Sequence, residues 1–266
     1  MIAAILANGT DKALAMVEAA KQAGANAGLV TVPFYNKPSQ RGILAHFEAL
    51  AEGTDLPLIA HNAPDRRVVD ASVDTLATLA GLRGIIGVAD HDPAAERLNR
   101  LKSAVPREFL LFSGDDRSGP VHRVMGGDGW LSAAAAILPG HMRALECACM
   151  QGSWRDVQKH LAVLRPLFDA LALEPHPATV KQAVRCYMEF GGHVRLPLVT
   201  ASRLTSRTIA KALEPFVTSA LGGDMSANLD ETARENLDEG SGVRRLRQEA
   251  DAHEVMPQAC APGRCS

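Results

Sequence analysis

The sequence predicts an α/β fold, a parallel sheet covered by helices, continued by an all-helical stretch and a polar tail. Three observations predict it. Short apolar runs recur through the first half of the chain, each is followed by a segment of helical period, and the runs are apolar at consecutive positions, as strands covered on both faces must be. The first run, "IAAIL", precedes "TDKALAMVEAAKQAGA", where Leu14, Val17 and Ala20 share one helical face and Lys12, Glu18 and Lys21 lie off it. "AGLVTVP" is followed after a loop by "QRGILAHFEALAEGT", with Ile43, Leu44, Phe47 and Leu50 facing inward. The pairing recurs as "LPLIAHN" with "SVDTLATLAGL", "GIIGVAD" with "PAAERLNRLKSAV", "FLLFSGD" with "SGPVHRVMGG", and "GWLSAAA" with the helices after Pro139. Asp92 before Pro93 reads as a helix N-cap with proline at the first helical position, so "ADHD" is a strand-to-helix loop. Beyond this the chain turns helical, in "MRALECACM", "SWRDVQKHLAVLRPLFDALAL", "PATVKQAVRCYMEFG" and "ASRLTSRTIAKALEPF". From about Val217 it is polar, Gly-interrupted and poor in large apolar residues, which predicts a disordered tail with room for one short helix in "GVRRLRQEADAHEV".

Composition narrows the function classes. A chain of 266 residues, 47% apolar and 22% charged, suits one barrel-sized domain with appendages. A net charge of −2 gives no electrostatic case for nucleic acid or an anionic membrane, which leaves small molecules as partners. The opening "MIAAILANGTDKALAM" lacks the basic start and apolar length of a signal peptide, and no run approaches the roughly 20 apolar residues of a membrane span. The expected location is the cytoplasm. Cys147, Cys149, Cys186, Cys260 and Cys265 form no C-x-x-C pair and suggest no disulfide framework.

The segments "VTVPFYNKPSQRGILAHFEALAEGTDLPLIAHNAPDRR", "GIIGVAD", "FLLFSGDD", "GGDGWLSAAAAILP", "LEPHPATVKQA" and "RLPL" stand in the order of a known family. The chain resembles the dihydrodipicolinate synthase and N-acetylneuraminate lyase family of pyruvate-dependent class I aldolases, up to about Phe216. "NKPSQ" and the arginine of "HNAPDRR" resemble the dihydrodipicolinate synthase branch. The resemblance implies a (β/α)8 TIM barrel with a C-terminal helical bundle, and catalysis through a Schiff base between pyruvate and a lysine at a strand end.

That lysine belongs to an I-I-G-x-K-[DE] pattern, and here "IIGVAD" places Ala89 at its position. A methyl group forms no imine, so the electron sink for the pyruvate carbanion is lost; neither Lys102 nor Lys181 is an obvious replacement. His61 stands where the family motif carries a proton-relaying tyrosine. An imidazole can perform acid–base work near neutral pH, and the competing reading is a substitution tolerated at a disused site. Arg66 matches an arginine that holds a substrate carboxylate, with Asn62 as a second substrate contact, and surface ion pairing is the plain alternative for Arg66. Phe34 and Tyr35 match an aromatic pair of which the second reaches the site of a neighbouring subunit. Gly126, Gly127 and Gly129 suit a tight turn, and Asp115 and Asp116 match a largely structural motif.

The chain enters the family pattern at the third barrel strand, so the sequence predicts a barrel lacking its first two βα units and, with them, the G-T-T-G-E loop that binds the pyruvate carboxylate. The expected organisation is a partial barrel over 1–139, a helical region over 140–217 and a tail over 218–266. The reading of the whole is a degenerate synthase-like lyase with the ancestral activity lost or strongly reduced, needing no cofactor and homo-oligomeric if folded. A small 2-oxo acid or aldehyde acid is its expected ligand. Three alternatives stand beside it: a non-catalytic paralogue that binds a 2-oxo acid or a subunit, a metal-assisted lyase using His61, Asp90, His91, Asp115 and Asp116, and a gene fragment.

Overall fold

In the computed structural model, which describes residues 1–188 and 190–220, each of the expected apolar runs forms a strand of one sheet. The order is β1 (Ile2–Ile5), α1 (Thr10–Gln22), β2 (Ala27–Thr31), α2 (Gln40–Gly53), β3 (Leu58–Asn62), α3 (Pro64–Arg67), α4 (Val73–Leu79), β4 (Ile85–Asp90), α5 (Ala95–Ala104), β5 (Leu110–Ser113), α6 (Gly119–Val124) and β6 (Gly129–Trp130). The strands pair in chain order, every pair parallel, as a curled half-barrel of the TIM-barrel type. Parallel neighbours need a crossover, and the amphipathic helices supply it while burying one face of the sheet.

The alternation of side chains along each strand separates two apolar layers. On the helix side Ile5, Val30, Leu58, Ala60, Val88 and Leu111 pack with helical residues such as Ile43, Phe47 and Leu50 of α2. Ile43, Phe47 and Leu50 are wholly buried, each contributing about 1.5–3 kcal/mol. The concave side carries Ala27, Ile59 and Ala89, with Leu29, Ile86, Phe112 and Leu131 against them. On β1 the residues of this second face, Ile2 and Leu6 at its end, are 54% and 53% exposed.

One irregularity sets the register of the rim. Between β3 and β4 the pairing steps from Leu58 opposite Ile85 to Ile59 opposite Gly87, leaving Ile86 as the extra residue of a bulge. Beyond it Ala60 faces Val88 and His61 faces Ala89. Without the extra residue Val88 rather than Ala89 would stand beside His61 on the concave face.

Two local expectations are corrected, and one short turn is added. The helix after β4 starts at Ala95 rather than at Pro93, because the Asp92 carboxylate accepts the Ala94 N–H at 2.8 Å and closes a turn before the helix instead of capping it. "GWLSAAA" is a strand only at Gly129–Trp130, followed by a 3-10 turn at Ala134–Ala136. "PDRR" forms the single turn α3, with Pro64 at its first position and Val68 closing it in the left-handed region at φ 62.

The chain divides into two compact units, Met1–Ser132 and the part from Ala133 on. In the second, α7 (Pro139–Met150), α8 (Trp154–Leu171), α9 (His176–Met188) and α10 (Arg203–Ala220) follow the helical stretches of the sequence, α10 packing on α8 and α9 and α7 on α8. Val157, Leu161, Leu164, Phe168 and Leu171 form the buried stripe of α8. No helix among the described residues is long and apolar enough to cross a membrane. The expected tail, with Cys260 and Cys265, lies outside the described residues beyond Ala220.

Near the sheet's far edge His122 of α6 sits over Gly127, where a Cβ would come within 2.1 Å of its Nδ1. Burial pushes this imidazole down from 6.5 to about 4. The unfolded chain therefore binds the proton first on acidification, and stability is lost as pH falls from about 6.5 to about 4. Replacing His122 by Gln is expected to flatten the melting temperature across that interval, measured by thermal denaturation in steps of pH.

Candidate functional site

The C-terminal ends of parallel strands are where the half-barrel opens into loops, so the side chains there decide its chemistry. Register places Thr31, His61, Ala89 and Phe112 as successive neighbours across β2, β3, β4 and β5. Ala89 is fully buried in the concave apolar cluster, so its methyl group is the floor of this row. Thr31, also buried, turns its hydroxyl to the Val32 carbonyl at 3.5 Å, at the limit of a hydrogen bond.

His91 follows β4 and continues the inner face, two residues beyond Ala89. Its N–H donates to the Asn62 carbonyl at 2.9 Å, and its ring fills the space over Gly114, where a Cβ would lie 1.9 Å from Cδ2. Glycine at 114 is required by this close approach. The imidazoles of His61 and His91 meet with Nε2 atoms 2.9 Å apart and ring centroids 4.9 Å apart. Nδ1 of His91 lies 3.7 Å from the carboxylate of Asp65 in α3.

Residues of the opposite parity point to the helix side and build a polar clamp. Asn62, Asp90 and Ser113 are register neighbours there, all buried. Asn62 donates to Asp70 at 2.8 Å and to Asp90 at 3.0 Å, and accepts the Ala71 N–H at 3.0 Å. Asp90 is paired with Arg97 of α5 at 2.6 Å, and the same guanidinium reaches Asp70 at 3.0 Å and the Ala71 carbonyl at 2.6 Å. Burial pushes the Asp90 carboxyl up, with Arg97 opposing the shift, and the net pull of three carboxylates holds Arg97 above its ordinary value despite its own burial.

Of the residues singled out in the sequence, His61 and Ala89 stand side by side in the inner row. Asn62 is turned away from that face, a correction that strand parity dictates: in one strand residues 61 and 62 point to opposite sides. Arg66 is at the rim, exposed, its Nε 3.8 Å from Asp65. Tyr35 is 83% exposed, in a loop held by the Asn8 side chain, which accepts the N–H groups of Phe34 and Tyr35 at 2.9 and 3.1 Å. Lys102 lies in the last turn of α5 and donates to the Met125 carbonyl at 2.7 Å, before β6 and thus toward the strand starts. Lys181 donates to the His193 carbonyl within the second unit at 2.6 Å.

The five-residue metal set does not converge. Asp90 is bound to Arg97, Asp115 accepts the N–H groups of Arg117 and Ser118 at 2.6 and 3.1 Å, and Asp116 takes the Trp130 indole N–H at 3.1 Å. Among the described residues no three His, Cys, Asp or Glu side chains come together to hold a metal ion. Sequence reasoning passed over Arg97 and Asn8, whose partners are distant in the chain. It also gave His91 only a place in the metal set, although the same strand parity that excludes Asn62 puts it beside Ala89.

Removing Arg97 leaves Asp90 buried and uncompensated, so Arg97→Met is expected to cost about 3–5 kcal/mol in a urea unfolding curve. Adding Asp90→Asn to the same chain should recover much of it, since the amide carries no charge to strand.

A sequence model of the dihydrodipicolinate synthetase family matches residues 1–215. The 4-hydroxy-tetrahydrodipicolinate synthase of Rhodospirillum centenum is 35% identical over 213 residues, which are 80% of this chain and 73% of that protein. Among solved structures, dihydrodipicolinate synthase from Aquifex aeolicus superposes with a TM-score of 0.78 at 31% identity, over 81% of this chain and 74% of its own. The chloride-inhibited dihydrodipicolinate synthase of Acinetobacter baumannii, complexed with pyruvate, gives 0.77 at 32% identity, over 80% and 73% of the two chains.

Proposed function

The chain belongs to the dihydrodipicolinate synthetase family, and from that premise we propose that it is a degenerate member of it, binding a small 2-oxo acid without fixing it as an imine. In this reading its six strands correspond to the third through eighth of the family barrel, and Ala89 occupies the position of the imine-forming lysine.

The observation that carries the reading is the place of Ala89: buried on the concave face at a strand end, between His61 and Phe112. An amine projecting from there would meet a ligand in the mouth of the half-barrel; a methyl group offers only apolar contact. The lysines considered as substitutes support it further, since the amines of Lys102 and Lys181 are engaged with carbonyl groups elsewhere. Arg66 at the rim is the carboxylate partner in this reading, competing with its neighbour Asp65 for the role. The exposed Tyr35 is available for a subunit contact, and a homo-oligomer is part of the proposal. Ancestral synthase turnover is then lost or strongly reduced.

Incubation with pyruvate and borohydride is expected to leave the mass of the protein unchanged, and an adduct mapped to any lysine would overturn the reading. Binding is tested separately. Pyruvate at a hundredfold excess over its dissociation constant should stabilise the fold by about 2.7 kcal/mol, seen as a raised melting temperature. The shift should shrink in Arg66→Ala, and a ligand-insensitive melt would remove the binding role.

A further inference from the structure

Asn8 is the one asparagine in the sequence that precedes a glycine. The pair lies past the end of β1, where Gly9 caps α1 in extended backbone at φ −104 and ψ 141. Gly9 is exposed, and nothing stands within 4 Å of the place a Cβ would take, so its amide nitrogen is open to the side chain before it. Among the described residues neither the Gly9 N–H nor the Asn8 side-chain amide nitrogen has a hydrogen-bond partner. The Asn8 Oδ1, by contrast, accepts the N–H groups of Phe34 and Tyr35 at 2.9 and 3.1 Å. Two donors on a carbonyl oxygen stabilise it as an oxyanion, the state it reaches when a nucleophile adds to the carbon. The side chain is thus polarised for attack, with the attacking and the leaving nitrogen both unengaged.

We propose that Asn8–Gly9 is a modification site, at which the folded chain deamidates through a cyclic imide and thereby changes how the Phe34–Tyr35 loop is held. The Gly9 nitrogen adds to Cγ of Asn8 as its proton passes to water, forming a C–N bond and a tetrahedral carbon whose oxyanion is Oδ1. Collapse of that centre breaks the bond from Cγ to Nδ2, and the nitrogen leaves as ammonia with a proton taken from water. A water molecule then opens the imide. Addition at Cγ gives aspartate, and addition at the main-chain carbonyl of residue 8 gives isoaspartate. In sum an amide and water become an acid and ammonia, with no oxidant, reductant or further reactant.

The two products act differently on the rim. Aspartate keeps both acceptor bonds, now with a charged oxygen, and stands just before the N-terminus of α1, where negative charge is favourable. Isoaspartate runs the main chain through the former side chain, which adds a methylene between β1 and α1. Its carboxylate starts directly from Cα, one carbon shorter, and falls short of the Phe34 and Tyr35 amides. The loop that carries the exposed Tyr35 is thereby released.

The experiment incubates the full chain in mildly alkaline buffer, folded and in urea, and follows the peptide containing residue 8 by mass spectrometry with fragmentation that separates aspartate from isoaspartate. Folded wild-type protein is expected to acquire the acid at Asn8 before any other asparagine. Gly9→Ala, whose methyl group enters open space and hinders closure of the imide, is expected to keep the amide over the interval in which the wild-type protein converts. Fractions separated by charge are then cut briefly with chymotrypsin. The isoaspartyl fraction and Asn8→Ala should be cleaved after Tyr35 faster than the amide form, and Asn8→Asp no faster. Gly9→Ala and Asn8→Asp keep the test valid even if Asn8→Ala fails to fold. Conversion confined to urea, conversion of Gly9→Ala at the wild-type rate, or an isoaspartyl fraction cleaved no faster than the amide form would each overturn the proposal.

Discussion

Arg97 and Asp90 meet at 2.6 Å between α5 and β4, with side chains only 12% and 7% exposed, and the geometry of the open end of the sheet depends on that contact. A buried ion pair contributes little net stability, because removing two charges from water costs about as much as their attraction returns. Its value lies in position. Through Asp70, the Ala71 carbonyl and Asn62 the same guanidinium ties α5 to the end of β3 and to the segment leading into α4. The ends of β3 and β4 are thereby fixed relative to one another, and so is the distance between the imidazoles they carry.

The rim separates structure from chemistry by strand parity. Asn62, Asp90 and Ser113 face the helices and satisfy one another or their neighbours, whereas His61, Ala89 and Phe112 face the concave side one residue earlier on each strand. Substitution on the concave side can thus alter chemistry while the clamp behind it remains intact. The bulge at Ile86 belongs to the same division, since it brings Ala89 rather than Val88 opposite His61.

Most of the sheet was legible in the sequence, because the apolar runs and the helical period of the intervening segments are local signals. β6 was legible only in part: "GWLSAAA" has small residues able to follow either a strand or a tight turn, and nothing local ends the strand at Trp130. Asp92 carried a true capping signal whose outcome was a turn, since the same side chain can serve either use. Ala89 and His61 were singled out by motif position, and register sets them side by side on the concave face. The clamp was not, as Arg97 shows: its partners at Asp70 and Ala71 lie 27 and 26 residues away. The bulge is set by packing between neighbouring strands and leaves no mark in either strand alone.

Gly114 and His91 occupy one volume between them. Any side chain at 114 would require the imidazole to leave its seat, and an imidazole at 91 requires that nothing be added at 114. Two positions 23 residues apart are thus coupled in descent: a lineage that keeps this histidine cannot drift at the glycine, and one that loses the histidine is released at both. Relatives sorted by what they carry at these two sites should fall into correlated groups, and the pair would mark which branch inherited this rim.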